Sequence, residues 1–164
     1  MKRLFNLIPA ISLAMAMLAS HPVAAGAVTV VGTINGGGTS IMTDGMGVTT
    51  FSMHATLFSD GSAKGRIDCL DRVGSAPGYP GNIFGDVKTW SRNADGNVTL
   101  HVIGKFVAIP GGLVVPGGLP FDVTIQRFGG AGVGHWTLDV AGLSSPNGGP
   151  ICQELLTSGQ IRWS

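Results

Sequence analysis

The histidines are the side chains of this 164-residue sequence best suited to acid–base or metal chemistry. His54, His101 and His135 lie outside the amino-terminal region. Metal-binding histidines usually occur at close spacings such as H-x-H or H-E-x-x-H, with cysteine or carboxylate ligands in support. Here the three imidazoles lie in separate segments without such a spacing. We therefore predict solvated histidines on strand faces, and we expect no metal ion and no cofactor.

One of these histidines has a candidate carboxylate partner. In a hairpin described below, His54 is predicted to face Asp68 across two antiparallel strands, and a carboxylate orients the imidazole in triads and general-base sites. Because the pair would lie on the polar face of the sheet, we interpret it as a structural cross-strand pair. The sequence has no G-x-S-x-G or S-x-x-K motif, so it predicts no catalytic residue.

The two cysteines, Cys69 and Cys152, are a second possible chemical centre. An even number of cysteines in an oxidising compartment usually forms disulfides. We predict a Cys69–Cys152 bond, with two buried thiols or an intermolecular link as the alternatives. The chain-entropy model assigns a bond that closes so long a loop about 4 kcal/mol of stabilisation.

The amino terminus predicts that oxidising compartment. Lys2 and Arg3 precede an apolar stretch over 4–18, and the small residues 23–25 are of the type that signal peptidase reads. A membrane anchor is the alternative, but the apolar stretch is shorter than the roughly 20 residues that span a bilayer. We predict that residues 1–25 are a cleaved signal peptide and that the mature protein is secreted or periplasmic.

Removal of 25 residues from 164 leaves 139, a common size for one domain, which we assign to residues 26–164. The signal peptide takes two of the 10 Lys and Arg residues, so eight remain against nine Asp and Glu. Such sparse and balanced charge lacks the basic surface of nucleic-acid-binding proteins. We expect no nucleic-acid partner and a mature chain that does not span a membrane.

The remaining sequence alternates apolar and polar residues with period two, which is typical of strands. The chain's 27 glycines and nine prolines divide it into runs too short for stable helices. We predict eight strands, over residues 27–34, 48–58, 65–70, 83–90, 98–106, 121–127, 135–143 and 158–163.

Two predicted hairpins have an interpretable register. A three-residue or bulged turn near residue 60 keeps the apolar faces together and places Ala55 opposite Ile67. A two-residue turn over 95–96 sets Asp86 opposite Lys105, a favourable cross-strand charge pair. A four-residue loop at the second turn would preserve the same faces.

Consecutive strands with short connections predict an all-β antiparallel meander of about eight strands. Closure into a small barrel is the simplest way to remove its exposed edges. A two-sheet β-sandwich is the alternative, because the Gly-rich stretch 109–119 could cross between sheets. One set of residues should face the common core: Phe51, Met53, Ala55, Leu57, Ile67, Val87, Val98, Leu100, Val102, Val123, Ile125, Trp136, Leu138 and Ile161.

The sequence over 51–55, F-S-M-H-A, and the sequence over 60–65, D-G-S-A-K-G, together resemble a recurring type of small secreted, Gly-rich bacterial β-domain. Domains of this type open with a Gly-rich strand, here 32–38, and end with a strand like 159–161. The resemblance covers most of the predicted mature chain. It implies the same fold, and no established activity comes with it.

Three classes of function follow. The first is a secreted, non-catalytic domain that binds a small apolar ligand or a partner surface, since an eight-stranded barrel can enclose one small ligand. The alternatives are a barrel-pocket enzyme of the cyclase, isomerase or hydrolase type, and a structural or adhesive surface protein. Arg127, Trp136 and Met53 are the candidate pocket residues. Arg127 shares a face with Val123 and Ile125, and an inward-pointing charge there would favour the enzyme.

Overall fold

The computed structural model describes residues 26–43, 45, 47–71, 81–107, 114–140 and 150–164, so the predicted signal peptide lies outside the described residues. The described residues contain no helix. None of them therefore belongs to a helix long and apolar enough to cross a membrane. They form nine strands: β1 (Val30–Met42), β2 (Val48–Phe58), β3 (Ser62–Asp71), β4 (Asn82–Arg92), β5 (Val98–Val107), β6 (Val114–Arg127), β7 (Gly129–Gly130), β8 (His135–Val140) and β9 (Cys152–Trp163).

Eight of these strands close into an antiparallel barrel. β1 to β6 pair in sequence order, β6 pairs with β8, β8 with β9, and β9 again with β1. The two-residue β7 is an additional strand that pairs with β9. The predicted barrel is confirmed and the sandwich is excluded. Closure gives the backbone hydrogen-bonding groups of every long strand a partner on both sides.

Several strands are longer than predicted, most clearly β1 and β9. The first strand was predicted to end at residue 34, but β1 continues through the glycines at 36–38 to Met42. Gly38 and Gly159 lie opposite each other where β1 and β9 approach closely. A Cβ on either glycine would overlap the backbone of the other strand, and Gly159 has a positive φ of 79°. Here glycine permits close strand pairing instead of breaking the strand.

Apolar side chains from every long strand meet in one buried cluster inside the barrel. All fourteen residues predicted to face the core are buried, which confirms the assignment of faces. Trp136, Leu100 and Ile125 are among those with no exposed surface. The alternation of polar and apolar residues along each strand therefore separates a packed inside from a polar outside.

The β2–β3 turn has three residues, as predicted, but its register differs from the prediction. β2 ends at Phe58 and β3 begins at Ser62, so Ala55 pairs with Gly65. Both registers keep the same faces, and alternation cannot distinguish them. The structure selects the one that places Gly65 against the carbonyl of His54, where a Cβ would collide.

The β4–β5 hairpin is also confirmed, but its loop has five residues, 93–97, instead of the predicted two or four, and its register differs. Asp86 lies opposite Ile103, and Lys105 lies opposite Phe84, so the predicted Asp86–Lys105 pair does not form. The register shifts between Val87 and Thr89 of β4. Such a bulge adds one residue to a single strand, and period-two patterning carries no signal for it.

Candidate functional site

The predicted pocket residues do not form one pocket. Trp136 is fully buried and packs against Phe51, with 5.4 Å between ring centroids. Met53 is 3% exposed and borders a surface groove of about 620 Å³ between β1 and β9. Arg127 is exposed, because the β6–β8 register shifts between Ile125 and Arg127. Arg127 therefore does not supply the inward-pointing charge that would favour the barrel-pocket enzyme.

The predicted His54–Asp68 pair is also wrong. His54 faces Arg66 across β2 and β3, and His54 Nδ1 lies 2.9 Å from Asn35 Oδ1. The Asp68 carboxylate accepts a hydrogen bond of 3.0 Å from Arg66 Nε instead. The two-residue difference in register separates the imidazole from the carboxylate. Among the described residues, no group of three or more His, Cys, Asp or Glu side chains is placed to hold a metal ion.

One end of the barrel is closed by aromatic side chains, and we call it the aromatic end. The rings of Trp90 and Trp163 meet edge to face at 5.9 Å, and the Phe128 and Trp163 rings at 6.1 Å. The indole of Trp163 lies over Gly32, where any side chain would overlap it. The Arg92 guanidinium covers the Trp163 ring at 4.7 Å. The rings of Trp90, Phe128 and Trp163 pack against the buried core at that end.

Polar side chains lie inside the barrel near the opposite end, which we call the polar end. Glu154 on β9 is 0% exposed, and its Oε2 accepts a 3.0 Å hydrogen bond from the Thr49 hydroxyl. The Ser40 and Thr49 hydroxyl oxygens are 2.6 Å apart. Since Thr49 donates to Glu154, Ser40 donates to Thr49. A chain of hydrogen bonds thus links β1, β2 and β9 within the core.

Both cysteines are buried, and the predicted disulfide between Cys69 and Cys152 is absent. Burial is the main cause that raises the pKa of the Cys69 thiol well above its usual value, and the charges of Cys152 and Glu154 add to the effect. Cys69 is therefore a protonated thiol at neutral pH and a poor nucleophile. The disulfide was predicted because the compartment was expected to be oxidising. That expectation contains no information on whether the two cysteines have the geometry that a bond requires.

Glu154 is the residue of chemical interest that the sequence analysis missed. It lies directly opposite Trp136 on the inner wall, and the Trp136 indole N–H has no hydrogen-bond partner among the described residues. The alternation of Cys152, Glu154 and Leu156 would have placed the carboxyl group inside. The signal was overlooked because the predicted last strand began at residue 158, after this segment.

A second polar arrangement lies on the outer face of β3, β4 and β5. Arg66, Lys88 and Lys105 surround the Asp86 carboxylate and the Phe84 ring, and they line an open depression of about 340 Å³. We call this depression the basic pocket. Gly117 and Gly118 of β6 complete its wall. It combines positive charge, one carboxylate and an apolar surface, a combination suited to binding an anionic ligand.

Comparison with known proteins provides no functional assignment for either arrangement. No protein-family model, no curated protein and no solved structure matches this chain. The resemblance to small secreted β-domains therefore stays a prediction. The chain is placed by its structure alone, as an eight-stranded antiparallel barrel with one additional short strand.

Proposed function

We propose that the protein is a secreted, non-catalytic β-domain that binds a partner with its outer surface. The observation that carries this proposal is the single cluster of buried side chains inside the barrel. Side chains from every long strand meet in one buried cluster, so a ligand inside would have to displace packed groups at several kcal/mol each.

The alternative of a small apolar ligand inside the barrel has less support. The aromatic end is closed by Trp90, Phe128 and Trp163. Near the polar end, the inner wall presents Glu154, Thr49 and Ser40, and an apolar ligand cannot satisfy their hydrogen-bonding groups. The two depressions described above both open to solvent. We therefore assign binding to the outside.

A neutral apolar fluorophore tests this assignment. N-phenyl-1-naphthylamine should give no saturable increase in fluorescence with residues 26–164, because its rings would have to displace side chains of the buried cluster. A triple Trp90→Ala, Phe128→Ala, Trp163→Ala variant is a positive control, since it opens the aromatic end. Saturable binding of one fluorophore per wild-type molecule would refute the proposal.

A second candidate function is a barrel-pocket enzyme, favoured by the buried Glu154. An inward-pointing charge is the feature that such an enzyme needs, and a buried carboxyl group opposite an indole N–H is suited to general acid–base catalysis. The test is turnover of chromogenic esters and glycosides by wild type and Glu154→Gln. Turnover that the substitution abolishes, in a protein that stays folded, would support the enzyme. Equal rates in both proteins would reject it.

A further inference from the structure

Positive charge is concentrated on the outer face of three neighbouring strands. Lys64 and Arg66 on β3, Lys88 on β4 and Lys105 on β5 are all exposed. They are four of the eight Lys and Arg residues that remain after position 25. On the same face, only the Asp68 and Asp86 carboxylates oppose them. This face therefore has a net positive charge, although the predicted mature chain has a slight negative excess.

The single carboxylate of the basic pocket, that of Asp86, does not neutralise the three cations around it. Asp86 is shared, at 3.4 Å from Lys88 Nζ and 3.9 Å from an Arg66 terminal nitrogen. Lys105 has no carboxylate within 4.0 Å among the described residues. Its ammonium group instead lies 5.3 Å from the centre of the Phe84 ring. Lys105 is thus a positive group available to an anion at the edge of an aromatic surface.

An irregularity in β6 supplies the wall of the pocket. Gly104 pairs with Leu119, but Phe106 pairs with Val115, so residues 116–118 oppose the single residue Lys105. Two of these extra residues are glycines that line the pocket, and a Cβ on either would meet open space. The excursion leaves room beside the Lys105 side chain. Bulges of this kind often reshape a strand next to a binding site.

We infer that the basic pocket binds the anionic sugar residues of an acidic polysaccharide, an inference that rests on the proposed function. Lys105, Lys88 and Arg66 supply donors for carboxylate or sulfate oxygens. Phe84 and the exposed Ile103 supply an apolar surface against which the C–H face of a sugar ring can pack, and Asp86 accepts hydrogen bonds from ring hydroxyls.

The open form of the pocket favours a polymer over a free small molecule. Sites for small ligands usually enclose most of the ligand surface, whereas this depression is open to solvent. One sugar residue bound here would gain little affinity by itself. Repeated acidic residues on one chain raise the effective concentration at the pocket and strengthen the attachment without new contacts.

Affinity electrophoresis at low salt tests the inference with three probes: polygalacturonate for carboxylates, dextran sulfate for sulfates, and neutral dextran. We expect residues 26–164 to bind one or both acidic polymers and not neutral dextran. The Lys105→Gln change should weaken binding at least tenfold. The matched control Arg162→Gln removes the same charge from β9 and should leave binding within twofold of wild type.

The Phe84→Ala variant separates a specific pocket from general charge attraction. It keeps every charge and removes the apolar surface, so we expect at least a fivefold loss. If the alanine variant does not fold, Phe84→Thr replaces it, because threonine favours a strand and also lacks the large apolar surface. Three results would overturn the inference: no binding of either acidic polymer, equal losses in Lys105→Gln and Arg162→Gln, or unchanged binding in the Phe84 variants. These failures would leave the proposed function standing, because exclusion of the neutral fluorophore tests it separately.

Discussion

Leu100→Ala is the substitution that best tests whether the barrel interior is packed. Leu100 is 0% exposed and lies on β5 between Trp90 on β4 and Val123 on β6. Truncation removes three carbons, one methine and two methyl groups, from a site enclosed by neighbouring strands. Loss of transfer energy and the new cavity together cost about 2–5 kcal/mol in packed cores. Since small domains are stable by about 5–15 kcal/mol, the variant should still fold.

Urea unfolding of residues 26–164, followed by tryptophan fluorescence, measures this loss. The matched control is Ile103→Ala, three residues along the same strand, whose side chain is on the outer face and 40% exposed. We expect the control to lose less than about 1 kcal/mol. Both variants should keep the wild-type dependence of unfolding free energy on urea concentration. A Leu100→Ala loss below about 1 kcal/mol, or equal losses in both variants, would contradict a packed interior.

Three further predictions concern single positions. Gly159→Ala should lower the unfolding free energy by more than about 1 kcal/mol, because Gly159 has a positive φ and the backbone of β1 lies close to it. The control is Gly117→Ala, whose added methyl group meets open space, and it should lower the unfolding free energy by less. Because both thiols are free and buried, Cys69 and Cys152 should resist iodoacetamide in the native protein, and both should react with it in urea without reductant. Peptide mapping that found the two cysteines linked would contradict the structure. Asp139→Asn should raise the melting temperature, more at low salt than at high salt, because Asp139 lies directly opposite another aspartate; no gain at low salt would refute this reasoning.

The sequence was sufficient to predict the fold class and the inner face. Period-two alternation placed Phe51, Leu100 and Ile161 correctly because burial against a common core requires it. The predicted β2–β3 register was wrong by a two-residue step that keeps the same faces, and the predicted β4–β5 register was wrong because β4 contains a bulge. The register is determined by bulges and by close contacts at glycines. Both depend on backbone geometry, which the alternation of apolar and polar residues does not encode.

The candidate sites were harder to predict for a related reason. A pair such as His54 and Asp68 requires the correct register as well as the correct face, so a two-residue error removed it. Glu154 was missed because its strand was predicted to start after it. The basic pocket combines three strands with an excursion of β6. No local motif in the sequence represents such an arrangement.

Native mass spectrometry of the protein, purified without denaturation from the cells that produce it, tests the central claim most directly. We expect the mass of the polypeptide with no small molecule retained, because side chains of the described strands pack in one buried cluster inside the barrel. A retained apolar molecule of a few hundred daltons, released only on unfolding, would contradict the packed interior and return binding to the inside of the barrel.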